Sequence, residues 1–195
     1  MNITIITQPE AEPVTLNEAK QWLRLDEIGD DDNLILGLIM AAREKCEADT
    51  GVVLMSRTVD ESFDTWPKTY TIPQYYAREI ELGLWPVSSV SSVKYIDENG
   101  SEQTLSPSLY TVDLTQRPAR VVLNPDEVWP DIGGYPSAVK VRYVAGYSSI
   151  TDIPSTLKVA MKWEITKAYD NREDGPVTGR MMSERITIHQ RKIFI

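Results

Sequence analysis

The apolar positions change period twice along the chain, from a helical repeat to strand alternation and back. Near the N-terminus, "PVTLNEAKQWLRL" sets Leu16, Ala19 and Leu23 at helical spacing with Trp22 beside them. Thr15 stands just before this repeat and Glu18 three residues later, the pattern of a capping box, which predicts where the helix starts. The turn residues of "DEIGD" predict its end near Asp26. A second helix is predicted over "DDDNLILGLIMAAREKCEADTG", residues 30–51. Asp30 or Asp31 can accept hydrogen bonds from the free N–H groups of its first turn, and their charge complements the helix dipole. Gly51 suits the left-handed residue that stops it. In its first two turns Leu34, Ile35, Leu36, Leu38, Ile39 and Met40 cover almost the whole circumference, whereas later Arg43, Glu44, Lys45, Glu47 and Asp49 leave only a stripe through Ala42 and Cys46. A helix apolar all round must be covered all round. One core covers one side, so Leu36 and Met40 are expected to meet either an inserted lobe or a neighbouring subunit. Each such side chain contributes about 1.5–3 kcal/mol when fully buried.

From Val52 to about Ile150 the pattern shortens. "VLMSRTVDESF", "REIELGLWPV", "SSVKYIDENGSEQTL", "SLYTVDL", "ARVVLNP" and "SAVKVRYVAGY" carry β-branched residues, partial alternation and Pro, Gly, Asn and Ser punctuation. They predict an antiparallel lobe of about six strands, with "DENG" as a hairpin turn or a longer loop. Trp66, Trp85 and Trp129 are expected in the core of this lobe. Helical spacing returns at "DIPSTLKVAMKWEITKAYDNR", where Leu157, Ala160, Met161, Ile165 and Ala168 mark one face and Val159 and Trp163 a second strip; Pro154 suits the first turn. The last stretch begins as a linker and ends with alternating Ile186 and Ile188, then Ile193 and Ile195. The fold class expected is α+β: a small α-helical core of three main helices, residues 1–51 and 152–173, with an antiparallel β lobe, 52–151, inserted between the second and third helices. Residues 174–195 are expected to form a partner-binding tail.

Composition narrows the function. The 195 residues are 42% hydrophobic and 25% charged, as in an ordinary globular protein. No run reaches the length of a membrane span, no signal peptide is visible, and Cys46 stands alone, so the expected site of synthesis is a reducing cytoplasm. A net charge of −9 argues against a nucleic-acid binder, because a phosphate backbone is held mainly by Lys and Arg. Residues 175–195 hold four basic side chains (Arg180, Arg185, Arg191, Lys192) and one acid (Glu184), a net of +3, so the preceding 174 residues carry −12. Such a tail is either a solvated end or a dock for an acidic partner.

Catalytic patterns are scarce. His189 is the single histidine, and no G-x-S-x-G elbow, Walker loop or zinc-ligand spacing is present. Gly133-Gly134, between Pro130 and Pro136, reads as a turn. The carboxylates at Asp30 to Asp32, at Asp60, Glu61 and Asp64, and at Asp97 and Glu98 lack the spacing of an EF-hand loop. A helix-turn-helix over the first two helices fails on charge, since Asp30, Asp31, Asp32 and Asn33 would face the phosphates. No catalytic, cofactor or metal site is expected. The alternative class is a stand-alone β-lobed binding module or a small acid-dependent hydrolase.

Taken in order, "PVTLNEAKQWLRLDEIGDDDNLILGLIMAAREKCEADTG", "LWPVSSVSSVKYIDENG", "YTVDL", "VRYVAGY" and "IPSTLKVAMKWEITKAYDNRE" resemble the head–tail connector (head-completion or adaptor) proteins of tailed phages, in the subgroup with a β insertion. The resemblance runs from Pro13 to Glu173. It implies a structural virion protein of the neck, made in the bacterial host cytoplasm, with no enzymatic activity and no cofactor. It further implies a homo-oligomeric ring, typically of twelve subunits, between the portal protein of the DNA-filled head and the next neck or tail-completion protein. DNA would pass along its channel without sequence-specific binding. By position, the tail residues Arg180, Arg185, Ile186, Ile188, Arg191, Lys192, Ile193, Phe194 and Ile195 would dock on the portal, either as an added strand or by laying Ile and Phe side chains in a groove. Simple members of the family are nearly all helix; the lobe would widen the ring, contact the capsid or tail, or cover Leu36 and Met40.

Overall fold

The computed structural model describes residues 2–25, 29, 31–67 and 78–171. The described residues of Met1–Gln8 and Ser56–Gly146 form one compact unit, and those of Pro9–Met55 and Tyr147–Ile195 a second. The architecture is α+β, with a β lobe between the second and third helices. Against the boundaries expected from sequence, the first residues lie with the strands, and residues 52–55 and 147–151 lie with the helices. The tail expected at 174–195, with every docking residue named for it, lies outside the described residues.

In the helical unit, α1 (Leu16–Leu23) opens with the expected capping box: Thr15 Oγ1 accepts from the Glu18 amide at 3.2 Å, and Glu18 accepts from the Thr15 amide at 2.9 Å. Arg24, in the left-handed region at φ 56°, ends it. The helix α2 (Asp32–Thr50) stops at Gly51, left-handed at φ 68°, whose N–H donates to the Glu47 carbonyl at 2.8 Å. Pro154 precedes α3 (Ser155–Asp170), and its carbonyl accepts the Leu157 amide. The core draws Ile35, Ile39, Ala42 and Cys46 from α2, Leu157, Ala160, Met161 and Ile165 from α3, and Ala19 from α1. Ala168, expected on the inner face of α3, is exposed in its last turn.

Arg43 departs from the sequence pattern. Its side chain is 4% exposed, and its Nε meets Glu12 at 2.8 Å while Nη1 meets Glu47 at 3.4 Å. Glu47 also accepts the Leu54 amide at 2.9 Å. One buried guanidinium thereby ties the segment entering the unit to α2, and Glu47 ties α2 to the segment that leaves it.

The β unit contains two antiparallel sheets. The larger runs β1 (Asn2–Ile5), β2 (Arg57–Phe63), β8 (Val139–Ala145), β4 (Val87–Ile96) and β5 (Glu102–Thr104) in spatial order; the smaller runs β3 (Glu79–Glu81), β7 (Arg120–Leu123) and β6 (Tyr110–Asp113). In β8, Val139, Val141, Tyr143 and Ala145 alternate inward, as a half-buried strand requires. The "DENG" hairpin forms between β4 and β5. Asp97 Oδ1 accepts the Asn99 and Ser101 amides, both at 2.9 Å, and Gly100 takes φ 80°. Trp66 stacks on Trp129 with ring centroids 4.4 Å apart, and both are buried. Trp85 is half-buried under the Arg117 guanidinium. Gly133 has a packing reason, because a Cβ there would meet the Asp97 carbonyl oxygen at 2.7 Å.

Adjacent positions on α2 therefore predict opposite outcomes. Ile39 is fully buried and Met40 is 48% exposed. In chemical denaturation Ile39→Ala is expected to cost about 2–5 kcal/mol, and Met40→Ala less than about 0.5 kcal/mol in the isolated chain.

Candidate functional site

The acids that open α2 have structural partners, although not the expected ones. Asp31 occupies the N-cap position at φ −97°, ψ 4°, and its side chain caps nothing. An N-cap carboxylate reaches the N2 or N3 amide from an extended backbone, which Asp31 does not have. Its Oδ2 instead accepts the Tyr169 hydroxyl of α3, and Asp32 Oδ1 takes the Lys20 ammonium of α1 at 2.8 Å. The two acids thus fasten the start of α2 to the other two helices. Asp30 lies outside the described residues.

Beyond its buried arc, α2 turns Asn33, Leu34, Leu36, Gly37, Met40, Ala41, Glu44 and Ala48 outward. Leu36 and Met40 are 43% and 48% exposed. A Cβ built on Gly37 would meet nothing within 4 Å. The arc is therefore apolar and shallow at its centre, with Glu44 as its charged member. A second apolar patch, not anticipated as a site, lies where α1 meets α3. Trp22 and Trp163 pack edge to face at 5.8 Å, each 39% exposed, with the half-buried Val159 one turn before Trp163. The Trp22 indole N–H donates to Thr166 Oγ1 at 3.0 Å, and Lys162 Nζ lies 5.8 Å from its ring centroid. The signal was present in the Val159 and Trp163 strip of α3.

The carboxylates of the β unit are engaged within it. Asp60 and Arg142 are cross-strand partners and join in a bidentate pair at 2.7 and 2.8 Å, which holds the Asp60 carboxyl below its ordinary value. Glu61, the next residue, faces the opposite side of β2 and is fully buried. It accepts the Tyr143 hydroxyl at 2.7 Å and the Gly83 amide at 3.0 Å. Burial pushes its carboxyl up, and the hydrogen bonds from Gly83 and Tyr143 offset part of that rise. Asp64 accepts the Ser137 amide, and Asp97 organises its hairpin. Among the described residues, no group of three or more His, Cys, Asp and Glu is placed to hold a metal ion. No described helix is long and apolar enough to cross a membrane. His189 lies outside the described residues.

Chains of the same fold occur in gene transfer agent (GTA) particles. One, in the neck of an empty GTA particle computed with C6 symmetry, matches with a TM-score of 0.75 and 21% identity, over 98% of this chain and 95% of that one. Another, in the virion of a native GTA particle, gives 0.79 and 19% over the same shares. A third, in the neck of a native GTA particle computed with C12 symmetry, gives 0.75 and 18%, again over 98% and 95%. No family model and no curated protein matches the sequence. The likeness to the GTA chains is one of fold, and it takes in the β lobe together with the helices.

Glu61 gives the β unit a defined pH response. Its carboxyl is raised from 4.5 in the folded chain, so the folded state holds the proton to higher pH than the unfolded state does. Its contribution to stability is full below the unfolded value and is lost as pH rises through the folded one. Glu61→Gln keeps an acceptor for Tyr143 and Gly83 but cannot ionise. The melting temperature of the variant minus that of the wild type is expected to rise as pH is raised through and above the ordinary glutamate value of 4.5. A difference that stays flat would place the carboxylate in an unstrained setting.

Proposed function

We propose that this protein is a structural component of the neck of a phage-like particle. It assembles as a ring that joins the portal to the next neck or tail-completion protein and extends the DNA channel. The observation that supports this most is the match over 98% of the chain to two structures of GTA necks, one computed with C6 and one with C12 symmetry. The sequence resemblance to head–tail connectors supports the same function.

Physical features of the chain agree with it. Leu36 and Met40, 43% and 48% exposed, form an apolar arc that suits a subunit contact. The body carries a strong negative charge, so DNA would pass an inner wall that repels phosphate. Asp31 and Asp32, the acids best placed for a catalytic cluster, are bound to Tyr169 and Lys20. We assign the protein no enzymatic activity and place it in the virion neck.

The basic C-terminal segment, with Arg180, Arg185, Arg191 and Lys192 among Ile186, Ile188, Ile193, Phe194 and Ile195, is assigned to portal docking. A chain ending at Gly179 is expected to keep its melting temperature and lose co-purification with the portal. Full retention of portal binding by the shortened chain would contradict the docking role.

A further inference from the structure

A cyclic ring closes only through a heterologous contact, in which one patch on each subunit meets a different patch on the next. The proposed function therefore requires two unlike complementary surfaces on one chain. The helical unit carries two exposed apolar patches on different helices: the outward arc of α2, and the Trp22–Trp163 pair where α1 meets α3. We infer that these are the two halves of the subunit interface, the tryptophan pair of one copy seating on the α2 arc of the next. The inference rests on the ring assignment made above.

Shape, rigidity and charge all favour a second copy as the occupant. The arc is recessed at Gly37 and Ala41 between Leu34 and the Leu36–Met40 edge, which gives two large rings a place to lie. The rings are held before contact, Trp22 by its hydrogen bond to Thr166 and Trp163 by its edge-to-face packing, so little side-chain entropy remains to be lost. Rigid, half-exposed tryptophans are the side chains that most often anchor protein interfaces. Lys162 lies on α3 over the Trp22 ring, with Lys158 one turn earlier donating to the Ile150 carbonyl at 3.4 Å, whereas the arc carries Glu44, 68% exposed and 3.8 Å from Arg43. Glu18 and Glu164 also border the tryptophan side; Glu18 is engaged with Thr15 and lies 4.0 Å from Lys162. Two copies joined this way would bring Glu44 towards the lysines of α3.

The test uses two full-length variants, Ala41→Cys on the arc and Lys167→Cys one turn after Trp163. The native Cys46 gives no background, because it is 2% exposed and its thiol is pushed up to about 12 by burial. Under mild oxidation, with and without the portal, a disulfide-linked dimer is expected when the two variants are mixed and is lost when either is alone. Separately, Trp163→Ala is expected to weaken ring assembly roughly thirtyfold while circular dichroism stays unchanged. Ring-sized particles without the mixed disulfide, or with Ala41→Cys linked only to itself, would overturn this interface and leave the ring standing. Absence of any ring, with or without portal, would overturn both. An unaltered ring in Trp163→Ala would remove the tryptophan pair from the contact.

Discussion

Everything in the helical unit turns on a helix that is apolar on more sides than its own core can cover. Ile35, Ile39, Ala42 and Cys46 commit one arc of α2 to α1 and α3. Leu34, Leu36 and Met40 then have no choice but to face out. Full burial of such a side chain is worth about 1.5–3 kcal/mol; Leu34, Leu36 and Met40 are 40%, 43% and 48% exposed, so a covering surface would gain a little under half of that at each. The same geometry that stabilises the fold thereby leaves these side chains half-exposed. The acids at the start of α2 serve this arrangement, since Asp31 and Asp32 fix the end of the helix to Tyr169 and Lys20 and leave its outer arc free of that task.

The β unit solves a different problem. Its centre includes a fully buried carboxylate, which would be costly without partners. Tyr143, on the neighbouring strand, and the Gly83 amide, just after β3, supply them. Because Gly83 follows a strand of the smaller sheet and Glu61 belongs to the larger, the same carboxylate links the two sheets. Arg120 does comparable work within the smaller sheet, reaching Asp113 on β6 and Glu79 on β3.

Local patterns were legible in the sequence wherever the determining residues are close along the chain. The capping box of Thr15 and Glu18, the stop at Gly51, the inner face of α3 and the Asp97–Gly100 hairpin all belong to this class. The over-apolar start of α2 was also readable, because exposure there follows from helical geometry alone. What could not be read depends on distant partners. Strand β1 has four residues and pairs with β2 from Ile5↔Val59 to Asn2↔Ser62, 54 to 60 positions later, so it lacks a local signature. Arg43 reads as a polar-face residue until Glu12, thirty-one positions earlier, is brought against it. Glu61 reads as a surface acid until Tyr143, eighty-two positions later, arrives as its partner. The tryptophan patch needed α1 and α3 to be packed together before two separate aromatic residues became one surface.

A chain with a half-covered helix would complete itself in a ring. Native mass spectrometry of the full-length protein, alone and then mixed with its portal, tests this most directly. The expected particle, in at least one of the two samples, holds several 22.1 kDa chains, free or attached to the portal, and twelve for the symmetry of the native GTA neck. A protein that stays a 22.1 kDa monomer in both, at every concentration tried, would contradict it.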